Sequence, residues 1–224
     1  MTIPPDEIAA LRKLYSERLA QQGPTLATLG WTKPTHRLRY RILLDYWLSP
    51  PPSAPLRVLD FGCGFGDFYG DAQSRGIALD YTGLDINPDL IEVAAQRYPD
   101  ARFLSRDLLN EPLDETFDIV VSSGAHSFRL SDNRSYVEAT FEQFSRLSLR
   151  GFAANFLSDR VNFRGDINHH YPPEEIFTLA LRYSPRVSLR HDYMPYEFTI
   201  FVDKRAEIDP SLNVFLPFTG DCES

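Results

Sequence analysis

The chain has 224 residues, a formal net charge of −8 and 43% hydrophobic residues. That length supports a self-sufficient core, and two cysteines, Cys63 and Cys222, build no disulfide scaffold. The acidic balance disfavours a nucleic-acid partner, and no apolar run reaches the roughly 18 residues of a membrane span, so a cytoplasmic protein with no nucleic acid and no membrane partner is expected.

The first stretch, MTIPPDEIAALRKLYSERLAQQ, lacks the apolar core of a signal peptide. From Asp6 to Gln22 it sets Ile8, Leu11, Leu14, Tyr15 and Leu19 on one helical stripe. The segment GPTLATLGWTKP reads as loop, and a second helix is expected over Thr35 to Leu48, with Leu38, Ile42 and Tyr46 spaced by fours. Its basic start, His36 to Arg41, reads as a polar face. The proline run SPPPSAP, Ser49 to Pro55, ends it, because proline lacks an N–H and disfavours helix before it. Residues 1–50 thus form a helical segment ahead of a main domain over 56–203 and a tail over 204–224.

The main domain alternates. LRVLDF reads as a buried strand and GDFYGDAQSR as a helix. DYTGLDI is a strand, and PDLIEVAAQRY a helix opening on Pro88. ARFLSRD ends a third strand. FDIVVSS is nearly continuously apolar, as a central strand covered on both faces requires. NRSYVEATFEQFSRLS is a helix expected to stop near Gly151, followed by the strand GFAANFLS and the helix PPEEIFTLALRY. Two strands close the pattern, RVSLRHDY and YEFTIFVD. Alternation of this kind calls for an α/β fold, a mostly parallel sheet with helices on both faces. The last connection is too short for a parallel crossover, so the final strand is expected to be antiparallel.

In such a sheet ligands sit beyond the carboxyl ends of the strands. The stretch RVLDFGCGFGDF puts Gly62, Gly64 and Gly66 immediately after the first strand. A dinucleotide fingerprint would space its glycines G-x-G-x-x-G around a pyrophosphate. Here Asp67 opens the helix instead and would repel phosphate, as would Asp60 before the turn. Asp85 ends the second strand, where a carboxylate can accept from vicinal ribose hydroxyls, and Asp107 ends the third, where one can accept from a purine amino group. The ligand read from these strand ends is adenosine-like, cationic and unphosphorylated.

VLDFGCGFG, GLDI, RDLL and FDIVVSSG, in this order, resemble the successive motifs of the class I S-adenosylmethionine-dependent methyltransferases, over roughly Leu56 to Asp203. The resemblance implies a Rossmann-like seven-stranded sheet of order 3-2-1-4-5-7-6 with strand seven antiparallel, and S-adenosyl-L-methionine as cofactor. It implies that Asp60 lies near the methionine amino group, with Gly62 and Gly64 under the ligand. Asp85 would hold the ribose hydroxyls, Ile86 and Leu108 would flank the adenine, and Asp107 would bind its amino group. Ser123, in SSGAHSF after the fourth strand, would also face the cofactor. In many small-molecule members the segment before the first strand closes over the site. On that pattern Tyr15, Trp31 and Arg39 are lid candidates, with Arg39 clamping the methionine carboxylate.

An acceptor with a free lone pair needs only positioning, whereas a hydroxyl or ammonium needs a base. His126 is the candidate base or orienter. Asn155 in the fifth strand and Tyr171, with His169 and His170, in the long 159–171 loop are further acceptor-site candidates. The adjacent histidines lack zinc-site spacing, so no metal is expected. The N/D-P-P-Y/F segment carried by amino-methylating enzymes of DNA and certain proteins is missing after strand four, which favours a small-molecule acceptor. Two alternatives stay open: an azetidine-2-carboxylate synthase type of cyclase that releases methylthioadenosine, and a non-catalytic nucleoside-binding subunit. The sequence leaves monomer and homodimer undecided.

Overall fold

The structure is a computed structural model, described here for residues 4–31, 35–49 and 51–205. The apolar residues of the tail beyond Arg205 lie outside the described residues. Two helices, α1 (Pro5–Gln22) and α2 (His36–Asp45), come first, α2 ending in a 3-10 turn (Tyr46–Leu48). The main domain follows as β1 (Leu56–Phe61), α3 (Asp67–Ser74), β2 (Leu79–Asp85), α4 (Pro88–Arg97) and β3 (Arg102–Ser105). It continues with β4 (Phe117–Ser122), α5 (Asn133–Leu147), β5 (Ser148–Leu157), α6 (Pro173–Ala180), β6 (Val187–Met194) and β7 (Glu197–Asp203).

The strands form one sheet of order β3-β2-β1-β4-β5-β7-β6. All neighbours are parallel except β7, which runs antiparallel to both β5 and β6. The start of β7 therefore lies on the same edge as the carboxyl ends of β1, β2, β4 and β5.

Alternation along the strands sends neighbours to opposite faces, and both faces are covered. On one, Leu59, Val120, Phe152 and Phe198 pack against Phe141, Phe144 and Leu147 of α5 and Ile176 of α6. On the other, Val58, Ile119, Val121 and Phe201 meet Leu43 and Leu44 of α2, Trp47 and Phe68 of α3. Fully burying each such side chain contributes about 1.5–3 kcal/mol. The caps match the sequence cues. Asn87 accepts from the N–H groups of Asp89 and Leu90 ahead of α4, with Pro88 as the first helical residue.

α1 lies over the ligand edge, whereas α2 and Trp47 are built into the second core, with Arg39 and Tyr40 of α2 also lining the cavity. One expectation is corrected. The fifth helix stops at Leu147, not near Gly151, and β5 begins at Ser148. Gly151 sits inside the strand at φ +134°, where a Cβ would stand 2.1 Å from the Val202 carbonyl oxygen. Its glycine serves close strand packing and not helix termination.

Candidate active site

A cavity of about 490 Å³ runs along the carboxyl edge of the sheet. Its floor passes from Asp107 and Leu108 after β3, through Asp85 and Ile86 at β2, to Gly62 and Gly64 after β1. It continues over the Ser123–Phe128 segment after β4 to Leu157 at the end of β5 and Glu197 at the start of β7. Ile8, Leu11 and Tyr15 of α1, with Trp31, form the roof.

The glycine turn is held from β2. The N–H groups of Gly62 and Cys63 donate to the Leu84 carbonyl at 2.8 and 3.1 Å. Asp85 Oδ2 accepts from the Gly64 N–H at 3.0 Å, and Oδ1 from the Asn87 N–H at 2.9 Å. Each oxygen thus keeps acceptor capacity for a ligand. Burial raises the Asp85 pKa, and the hydrogen bonds from Asn87 and Gly64 pull it back down. Gly62 adopts φ +75°, and a Cβ there would lie 2.7 Å from the Ala125 Cβ. Position 62 thus leaves no room for a side chain beside Ala125, and the turn runs as bare backbone along the cavity. Asp107 accepts from the N–H groups of Leu109 and Asn110 at 3.1 and 3.4 Å and from the Asn110 side chain at 2.6 Å, which fixes its carboxylate at the cavity wall. Ser123 lines the next stretch of wall.

Asp60 is placed differently from its expected contact with a ligand amine. It does not line the cavity but is buried beneath the turn, accepting from the Tyr81 hydroxyl at 2.7 Å. Burial pushes its pKa up to about 7, the Tyr81 bond opposing the shift.

None of the five acceptor-site candidates, His126, Asn155, His169, His170 and Tyr171, lines the main cavity. His126 is 1% exposed, with Nε2 3.1 Å from the Thr140 hydroxyl and rings of Phe61, Phe144, Phe156 and Tyr136 around it. The loop after β4 turns Ser123, Gly124, Ala125 and Ser127 toward the cavity and His126 into the core. Asn155 and Tyr171 stand behind the same loop. Asn155 Oδ1 accepts from the Gly124 N–H at 2.9 Å, and the Tyr171 hydroxyl donates to the His126 carbonyl at 3.0 Å. Asn133, not anticipated from sequence, completes this brace by donating to the Phe128 carbonyl at 2.7 Å. Of the 159–171 loop, Ile167 and Asn168 reach the cavity, while His169 and His170 do not. Among the described residues no three His, Cys, Asp or Glu side chains gather as a metal site, and no helix is long and apolar enough to cross a membrane.

The burial of His126 predicts a pH effect. Desolvation pushes its imidazole from 6.5 down to about 3. The unfolded chain therefore binds a proton that the folded one refuses. This contribution to stability is complete above pH 6.5 and is lost as pH falls toward 3, at about 1.4 kcal/mol per pH unit. Asp60 has the opposite sign: raised from 3.8 to about 7, its contribution is complete below 3.8 and is lost as pH rises through 7. The two oppose each other between pH 4 and 6.5. His126→Phe should remove only the first, so urea unfolding should show its stability relative to the parent rising as pH drops from 7 to 4. Parallel pH curves for parent and variant would show that His126 does not titrate on unfolding.

α1 is tied to the site by short polar links. Arg12 Nε donates to the Ile86 carbonyl at 2.7 Å, and the Asn87 side chain donates to the Arg12 carbonyl at 2.8 Å. Tyr15 stands edge-on to Phe128 at 5.6 Å, and burial raises its hydroxyl pKa further above neutrality. Arg39 lines the cavity, but its fork is taken: Nε and Nη2 donate to the two carboxylate oxygens of Glu197. A bidentate clamp on a ligand carboxylate, the role expected for Arg39, is therefore not available to this edge of the guanidinium. Glu197 was missed because its neighbours read only as a strand. The usable signal was the antiparallel direction of that strand, which returns its first residue to the ligand edge.

A methyltransferase-domain family model matches residues 58–148. The Mycobacterium tuberculosis protein Rv1506c, a methyltransferase by name, is 35% identical over 158 residues, 67% of this chain and 94% of its own length. The chain belongs to the class I S-adenosylmethionine-dependent methyltransferases. The solved structures agree in fold. A TehB-like methyltransferase from Corynebacterium glutamicum aligns at TM-score 0.57 with 23% identity, covering 88% of this chain and all of its own. The magnesium protoporphyrin IX methyltransferase from Synechocystis with bound S-adenosylhomocysteine aligns at 0.58 with 16% identity, over 74% of this chain and 81% of its own. S-adenosylmethionine is the cofactor of this methyltransferase. The cavity suits it on its own evidence, with bare glycine backbone at Gly62 and Gly64, a carboxylate of spare acceptor capacity at Asp85 and apolar walls at Ile86 and Leu108.

Proposed function

We propose that this methyltransferase acts on a small-molecule acceptor, at oxygen or nitrogen. The observation that supports this reading is the continuity of one cavity across the sheet edge, from Asp107 to Glu197. Its volume falls in the range of small-ligand sites, about 300–1,000 Å³. The β3-β2-β1 half suits the cofactor. There Gly62 and Gly64 would lie under it, Asp85 would hold the ribose hydroxyls, Asp107 would accept from the adenine amino group, and Ile86 and Leu108 would flank the ring. When bound, S-adenosylmethionine supplies an electrophilic methyl group. The β4-β5-β7 half, with Ser127, Phe128, Asn168 and Glu197, remains for the acceptor. The name of the Synechocystis relative, a porphyrin methyltransferase, fits an acceptor of this class.

The side chains of the acceptor half orient rather than deprotonate. Glu197 has both oxygens on Arg39, and burial keeps the Tyr136 hydroxyl protonated at neutral pH. An acceptor that arrives with a free lone pair needs only alignment, which can supply several orders of magnitude in rate. Asn155, Tyr171 and Asn133 serve this by bracing the wall after β4, and α1 excludes water from above.

The first experiment incubates the purified protein with S-adenosylmethionine alone, followed by mass spectrometry. The expected result is tight binding without turnover, and S-adenosylhomocysteine release only when an acceptor from a metabolite panel is added. Methylthioadenosine with a stoichiometric four-membered cyclic amino acid would replace this reading with the cyclase. Absence of any affinity for the cofactor would leave the non-catalytic reading.

A further inference from the structure

Two arginines line the cavity, Arg18 and Arg39, and no lysine among the described residues joins them. Arg39 commits Nε and Nη2 to Glu197, and its Nη1 is buried. Arg18 is different. It projects from α1, is half-buried, and no carboxylate or carbonyl among the described residues accepts from it. Its guanidinium carbon lies 5.8 Å from the Tyr15 ring centroid. The segment beside it fixes its place along the sheet edge. A Cβ on Gly64 would lie 3.1 Å from the Leu29 side chain, and one on Gly124 would lie 2.9 Å from the Trp31 ring. Residues 29–31 therefore cross from the turn after β1 to the loop after β4. Between them, a Cβ on Gly30 would lie 3.5 Å from Arg18 Nη1. Arg18 thus stands over the junction of β1 and β4, beyond Asp85 on the way across the sheet from β3. Its helix is anchored less than two turns earlier by the bonds of Arg12 to Ile86 and Asn87. A planar fork presented from a fixed element loses little freedom on binding.

We propose that Arg18 takes the carboxylate of the cofactor's amino acid and makes that carboxylate a requirement for tight binding. This rests on the nucleoside placement at Asp85 and Asp107. S-adenosylmethionine extends from adenine through ribose and sulfonium to an amino acid. An adenine at β3 and a ribose at β2 send that amino acid toward β1 and β4, where Arg18 stands. Asp85 and Asp107 would repel a further carboxylate, and the Arg39 fork is already covered by Glu197. The unpaired guanidinium of Arg18 is the complement that this anion requires, and its parallel N–H groups match the two carboxylate oxygens.

The test titrates the full-length protein calorimetrically with S-adenosylhomocysteine and with decarboxylated S-adenosylhomocysteine, which keeps the amine and lacks only the carboxylate. No acceptor is present, so any carboxylate effect belongs to the cofactor. The parent should prefer S-adenosylhomocysteine by about 10–100-fold, the worth of a hydrogen bond to a charged group. Arg18→Gln should abolish that preference by weakening S-adenosylhomocysteine alone, the decarboxylated ligand staying within about twofold of its affinity for the parent. Arg18→Met keeps the apolar stem on the roof and should behave the same. A parent without the preference overturns the proposal, and so does a preference that survives in both variants. In the second case its loss in Arg39→Gln/Glu197→Gln would assign the carboxylate to Arg39. Equal weakening of the two ligands also overturns the proposal, because Arg18 would then only support the roof. Failure of the nucleoside placement shows separately, as unchanged binding of both ligands by Asp85→Asn. A parent that binds neither ligand overturns the cofactor reading and this inference together.

Discussion

Asp85→Asn should weaken S-adenosylhomocysteine binding by about 100-fold or more while the fold survives. The carboxylate has two tasks. It accepts from the backbone N–H groups of Gly64 and Asn87, and it would accept from both ribose hydroxyls. An amide has one oxygen and one NH₂, so the NH₂ must point at one of two backbone donors. One acceptor is lost to the turn and one to the ligand. Hydrogen bonds to a charged group are worth about 1.5–3 kcal/mol each, so losing the charge at two of them accounts for the 100-fold. Calorimetry with S-adenosylhomocysteine and with methylthioadenosine checks the origin of the effect. Methylthioadenosine keeps the ribose, so both ligands should weaken alike. A threefold loss or less would show that Asp85 only supports the turn.

Gly62→Ala is expected to damage both stability and cofactor binding. The backbone at φ +75° disfavours any side chain, at about 1–2 kcal/mol. The new methyl would also meet the Ala125 Cβ at 2.7 Å, and such overpacking costs about 1–3 kcal/mol. Together urea unfolding should show a loss of about 2–5 kcal/mol. Adding Ala125→Gly should restore only the overlap part, because the backbone penalty at the turn remains. Cofactor binding should therefore stay weak in the double variant. Full recovery of binding would mean that position 62 acts through Ala125 alone.

The residues proposed for the cofactor were legible in the sequence as the lining of one cavity, and those proposed for the acceptor were not. Asp85 ends β2 and Asp107 follows β3, strands whose apolar patterns are visible locally, and residues at and just past the end of a parallel strand must stand at the carboxyl edge. Gly62 and Gly64 declare the turn by their own conformational freedom. The antiparallel β7 followed from a connection too short for a crossover. His126 shows the limit. Its place after β4 was correct, but alternate residues of a loop face opposite ways, and the choice between cavity and core was made by Phe61, Phe144 and Phe156 from three other elements. Asn155 and Tyr171 reached the right neighbourhood and the wrong side of its wall for the same reason.

What the sequence by itself determined is the sheet, its order and the cofactor edge, because strand and helix periods and glycine turns act over a few residues. What only the tertiary structure decided is the partnership of residues far apart in the chain. Arg39 and Glu197 are separated by 158 positions. They meet because the apolar face of α2 and Trp47 must be buried against β1, β4 and β5, and because β7 runs backwards. No local pattern encodes that encounter, since it follows from where burial of apolar surface carries two otherwise unrelated segments.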